Sequence, residues 1–116
     1  MRGEPLTIED LGLQNQKRVL RLSGPLTIST LYEFQTLVRT NSSASLVIDF
    51  TNVPYIDSAG IGALVAVYVR HQRDANGLSL VGVNDRVRTT LDIARIKQFF
   101  RFFDSLEVAQ AKHVSP

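Results

Sequence analysis

A chain of 116 residues, 44% apolar and 21% charged, is sized for one domain with a core of its own. It has no cysteine and only two histidines, which excludes disulfides, thiolate metal sites, cysteine nucleophiles and multi-histidine metal centres. Its 13 basic and 11 acidic residues leave a formal charge of +2, mild and dispersed for a dedicated nucleic-acid binder.

The opening MRGEPLTIED carries acids where a secretory signal would be apolar. The uncharged stretch from Ser58 to Val69 falls short of the roughly 18–20 residues of a membrane span. A cytoplasmic protein with no membrane partner is expected. The reading is a single domain over 1–116, with an ordered core of about 6–111 and short tails at Met1–Pro5 and Lys112–Pro116.

Leu6-Thr7-Ile8 and then Arg18 to Leu22 alternate with period two, which predicts two half-buried strands joined by a connection from Leu11 to Lys17. Ser23-Gly24-Pro25 ends the second. Leu31, Phe34 and Val38 recur at helical spacing, and Thr30 with Glu33 has the capping-box interval, so a helix is expected over about 29–40. Leu46 to Phe50 is a continuous apolar run, the mark of a strand covered on both faces.

Ile61, Leu64, Val65, Tyr68 and Val69 stripe the next helix, with His71 on its surface. Asn76-Gly77 turns the chain into a strand from Leu78 to Val83. Asn84 caps a third helix carrying Val87, Leu91 and Ala94. Phe99, Phe100, Phe102 and Phe103 flank Arg101 in a closing strand or edge segment that reads as core rather than as a base-stacking surface. Ser105 to Ala111 forms a last helix, and His113 lies in the tail. Strands alternating with helices after an antiparallel opening pair predict an α/β domain, a mixed four- to five-stranded sheet packed with about four helices.

The segment richest in chemical information is Val53-Pro54-Tyr55-Ile56-Asp57-Ser58-Ala59-Gly60-Ile61-Gly62. It follows the buried strand, a place where α/β proteins present functional groups. Asp57 and Ser58 fall at a helix start, where either side chain can accept from an unpaired amide. Gly60 and Gly62 each cost about 1 kcal/mol of helix propensity relative to Ala. Close packing on the sheet and close approach by a partner are both sufficient reasons for bare backbone there. Tyr55 and Ile56 either form an apolar contact for a partner or cover the sheet's end. A phosphate on Ser58 would meet exposed amides and the positive helix end, with Asp57 opposing it.

Enzyme templates fail on these residues. Gly60-x-Gly62 has no third glycine, no Gly-Lys-Ser/Thr loop exists, and Ile56 replaces the glycine of a nucleophile elbow. His71 lies over three turns from Ser58, too far to activate it. No catalytic residue, cofactor or metal ligand is expected.

The stretch VIDFTNVPYIDSAGIGALVAVY resembles the signature of STAS domains, specifically bacterial anti-sigma factor antagonists. The likeness runs from about Leu6 to Ala111 and includes Leu20-Arg21-Leu22-Ser23-Gly24, Asn76-Gly77, Val87 to Ile93 and Phe99 to Phe103. The resemblance implies partner switching. The unmodified protein binds an anti-sigma factor that is also a GHKL-type serine kinase, which frees a sigma factor. The kinase phosphorylates the serine after the motif aspartate, here Ser58, and the complex parts; a PPM-type serine phosphatase reverses it. Tyr55, Ile56, Asp57, Ala59, Gly60, Ile61 and Gly62 then border the partner. So does Thr27, which stands where family members often carry an acid and which also reads as a helix-start residue. At the end of the third helix Arg95 replaces a common glycine, so the usual left-handed cap is not expected. The alternative within the family is a scaffold or accessory domain of a signalling assembly or transporter, with no sigma-linked partner. The oligomeric state is left open.

Overall fold

The computed structural model describes residues 5–14, 17–40, 45–73 and 78–109. In chain order these form β1 (Thr7–Gln14), β2 (Lys17–Ser23), α1 (Leu31–Thr40), β3 (Ser45–Asn52), α2 (Ser58–Arg73), β4 (Leu78–Val81), α3 (Asp85–Ile93), a 3-10 turn (Lys97–Phe99) and β5 (Arg101–Phe103). Residues 106–109 are helical again.

The strands lie in the order β1-β2-β3-β4-β5, with β1 antiparallel to β2 and each later pair parallel. Parallel neighbours require crossovers, which are right-handed in nearly all proteins. Because the order advances in one direction, right-handed crossovers place α1, α2 and α3 on the same face. The side chains agree. Leu20, Leu22, Leu46, Ile48, Phe50 and Leu80 of the strands pack with Phe34, Leu64 and Leu91 of the helices. The alternate strand residues Val19, Val47 and Val81 meet Leu106 and Ala109 on the opposite face. A strand order that never reverses contains no switch-point crevice, the usual small-molecule site of open α/β sheets.

Five local expectations change. β1 continues through Leu11 to Gln14 instead of giving way to a connection at Leu11. The reason is an irregularity between Asp10 and Leu13, where Gly12 adopts φ 79° and its N–H donates to Asp10 Oδ1. β4 ends at Val81 rather than Val83, because Gly82 turns at φ 67°. α1 begins at Leu31, and the Thr30 hydroxyl faces back into the loop, accepting from Thr27 N–H and donating to the Pro25 carbonyl.

Arg95 adopts the left-handed conformation after all, at φ 65°. Its N–H donates to Asp92 O and the Ile96 N–H to Leu91 O, the paired bonds of a Schellman cap. The phenylalanines divide: Phe100 is buried, Phe102 packs beside it, Phe103 faces the opposite cluster, and Phe99 is exposed. Asn76-Gly77, His113 and the end of the last helix lie outside the described residues, as does the His71 side chain.

Candidate functional site

Past β3 the chain turns as the Val53 N–H donates to Phe50 O. Ile56 then forms an isolated parallel bridge with Leu26, extending the β2–β3 pairing into the loop before α1. That bridge brings two segments together which are thirty residues apart in sequence. The Leu26 N–H donates to Tyr55 O at 3.2 Å and the Asp57 N–H to Leu26 O at 3.3 Å.

Asp57 holds this junction. Its Oδ1 accepts from the Gly60 N–H at 3.0 Å, which caps α2, and its Oδ2 accepts from the Ile28 N–H at 3.1 Å. One carboxylate therefore satisfies an orphan helix amide and a loop amide together. Ser58 is the first helical residue, is exposed, and no hydrogen bond holds its hydroxyl among the described residues. It stands where helix amides and the positive dipole end face outward.

The two glycines separate. A Cβ on Gly60 would run into the Leu26 carbonyl oxygen and crowd Ile56, so bare backbone there is a packing requirement. A Cβ on Gly62 would meet nothing within 4 Å, and the residue is exposed. Among the described residues nothing requires glycine at 62.

Of the other expected partner residues, Ile56 is buried in the core, and Ala59 and Ile61 pack partly against it. Tyr55 is half-buried with the Arg86 guanidinium 4.9 Å from its ring centroid. Thr27 starts the turn into α1: its carbonyl accepts from the N–H groups of Thr30 and Leu31. The exposed members of the set nearest the hydroxyl are Ser58 itself and Gly62.

Three residues escaped the sequence reading of the site. Asn84 caps α3 as expected, but its Nδ2 also donates to Val53 O at 3.2 Å and Pro54 O at 3.3 Å, bracing the loop before Ser58. Only the spatial meeting of α3 with that loop reveals this. Ile28 and Tyr32, 72% and 77% exposed, stand four residues apart across the start of α1. The available signal was that Tyr32 lies off the Leu31, Phe34, Val38 stripe.

Chemically the site offers an exposed hydroxyl at a helix start. Among the described residues no group of His, Cys, Asp and Glu could hold a metal ion. No helix among them is long and apolar enough to cross a membrane.

The sequence profile of the STAS domain family matches residues 10–109. An anti-sigma-B factor antagonist from Staphylococcus aureus (strain NCTC 8325 / PS 47) is 27% identical over 82 residues, which cover 71% of this chain and 76% of that protein. The structure of an anti-sigma-factor antagonist (STAS) domain protein from Planctomyces limnophilus matches with a TM-score of 0.81 at 16% identity, covering 97% of this chain and 100% of that one. A sulfate transporter family protein from Wolinella succinogenes matches with a TM-score of 0.77 at 20% identity, over 86% of each chain. At such identities the two structures speak to the fold alone.

Proposed function

This chain belongs to the STAS domain family, and from that premise we propose that it is a cytoplasmic, non-catalytic anti-sigma factor antagonist switched by phosphorylation of Ser58. The partner is an anti-sigma factor with GHKL-type serine kinase activity, and a PPM-type phosphatase restores the active form. The observation that carries this reading is the unclaimed Ser58 hydroxyl on the outermost turn of α2, beside an exposed Gly62 that the fold itself does not need.

The switch follows from charge and solvation. In the unmodified protein the partner lies over Ser58, Gly62 and the flanking Tyr55. Phosphorylation adds about 1.5–2 negative charges and three acceptor oxygens at the centre of that surface. Helix amides offset part of this charge, so the phosphoprotein stays folded. The Asp57 carboxylate adjoins it, and any docked partner would have to strip its water. Binding is lost while the fold is kept.

The test is to incubate the purified chain with the serine kinase of its own genome and ATP, and to map the phosphate by mass spectrometry. Ser58 is the expected site. Ser58→Ala should bind the kinase like wild type, and Ser58→Asp should bind at least about 100-fold more weakly, a loss of about 2.7 kcal/mol. Phosphate on another residue, with Ser58→Ala still switching, would reject the assignment. The second reading is an accessory domain of a transporter, a setting in which the same fold occurs in a sulfate transporter family protein. It predicts partner association that ignores Ser58→Asp.

A further inference from the structure

Between α1 and α2 the surface opens into a groove of about 130 Å³. Its floor is apolar, made by Val38, Ala63 and Val67, all buried. Exposed Ala66 forms one wall and puts only a methyl group toward the opening. Arg39 and Arg70 stand at one end. Arg70 is held there because its Nη2 donates to the Arg39 carbonyl oxygen at 2.6 Å, in the last turn of α1. Neither Arg39 nor Arg70 has a carboxylate partner among the described residues. A guanidinium carries five N–H donors, and one bond to a carbonyl leaves most of them free.

We infer that this groove is part of the docking surface, receiving one apolar side chain from an acidic segment of the partner protein while Arg39 and Arg70 meet that segment's carboxylates. The inference rests on the function proposed above and extends it to the chemistry of the partner. Size supports one side chain: a cavity of about 150 Å³ accommodates a benzene ring. Charge supports an acidic flank, because two cations without a carboxylate partner among the described residues lie beside an apolar floor.

Position supports continuity with the switch. Ser58, Gly62 and Ala66 are all exposed and fall on one i, i+4 row of α2. Ala66 is about 12 Å from Ser58 along the helix axis. A standard interface covers about 800 Å² per partner, roughly 28 Å across, so one docked protein spans both. The acidic segment that these arginines attract is also one that a phosphate on Ser58 repels. Attraction and release then act on the same partner surface.

Two nine-residue peptides test the groove directly, one with a single leucine between glutamates and one with lysines in their place. Amide chemical shifts of the whole chain are followed during titration. The acidic peptide should move Arg39, Ala66 and Val67, and the basic peptide should not. Arg39→Glu should weaken the acidic peptide by about tenfold or more. Ala66→Leu, which fills the groove from an exposed helical position, should abolish the response with thermal unfolding unchanged. Equal responses to both peptides, or none to the acidic one at millimolar concentration, would overturn the inference. So would self-association of the wild type that Ala66→Leu removes, which would assign the groove to a second copy.

The serine kinase provides the second arm. Binding to wild type and to both variants with equal affinity would sink the groove and leave the proposed function standing. Failure to bind the wild type would sink that function instead, and the peptide titration alone would then decide the groove.

Discussion

Gly60 and Gly62 are two residues apart in one turn of α2, yet they answer to different constraints. The first has the Leu26 carbonyl where a Cβ would go; the second has open space. Gly60→Ala should therefore destabilise by about 1–3 kcal/mol through overpacking against backbone that cannot swing aside. Gly62→Ala should stabilise by up to about 1 kcal/mol, the helix-propensity difference. Urea denaturation of both variants reads the contrast. If Gly62→Ala gains stability and loses partner affinity, the bare backbone at 62 serves the partner. Asp57 supports a second prediction at this scale, since its two oxygens accept from Gly60 and Ile28. Asp57→Ala should cost about 1–2 kcal/mol, and Asp57→Asn less, because one oxygen remains. Amide hydrogen exchange should quicken at both residues in the alanine variant.

At the scale of an element, α3 shows how each end of a helix is fastened by a different device. Asn84 Oδ1 accepts from the Val87 N–H at 2.7 Å while its Nδ2 reaches the loop at Val53 and Pro54. Asn84→Asp should keep the cap and lose the brace, since a carboxylate has no N–H to donate. Asn84→Ala should lose both and cost about 0.5–2 kcal/mol for the cap alone. At the far end Arg95 holds φ 65°, a conformation that costs an L-residue about 1–2 kcal/mol. The cap persists because its two hydrogen bonds are made and Ile96 packs against the core. Arg95→Gly should raise stability by about 0.5–1 kcal/mol after the extra chain entropy of glycine is counted. A rise of about 2–4 °C in the melting temperature is the expected reading.

At the scale of the whole molecule the sheet has two unlike faces. One carries the three helices; the other bears a smaller apolar cluster in which Val19, Val47 and Val81 meet Leu106 and Ala109, with Leu11 and Phe103 packed against it. Beside that strip Glu9, Arg21 and Asp49, register partners on three adjacent strands, form a ladder of ion pairs. Asp49 also accepts from the Thr51 N–H and hydroxyl, so its buried charge is fully met. Lys17, only 4% exposed at the start of β2, differs: burial lowers its pKa from the ordinary 10.5. Its folded state binds fewer protons than its unfolded state between the lowered value and 10.5, so stability should rise with pH across that window. Lys17→Met should stabilise the chain at neutral pH and flatten the rise. Denaturation midpoints measured from pH 7 to 10.5 check both effects.

Whatever depends on near neighbours along the chain is legible from the residues. Period-two and helical spacing place the strands and helices, Asn84 announces its cap, and Asp-Ser-Ala-Gly-Ile-Gly marks the start of α2. The bulge at Gly12 escaped because it depends on how β1 registers against β2. Tertiary structure alone decided that Ile56 faces inward while Ser58 faces outward, that Leu26 fills the space over Gly60 and leaves Gly62 bare, and that Arg39 and Arg70 share one groove. Each of these is settled by what lies opposite in space. The opposing residue comes from another element, so no spacing within a single segment can encode it.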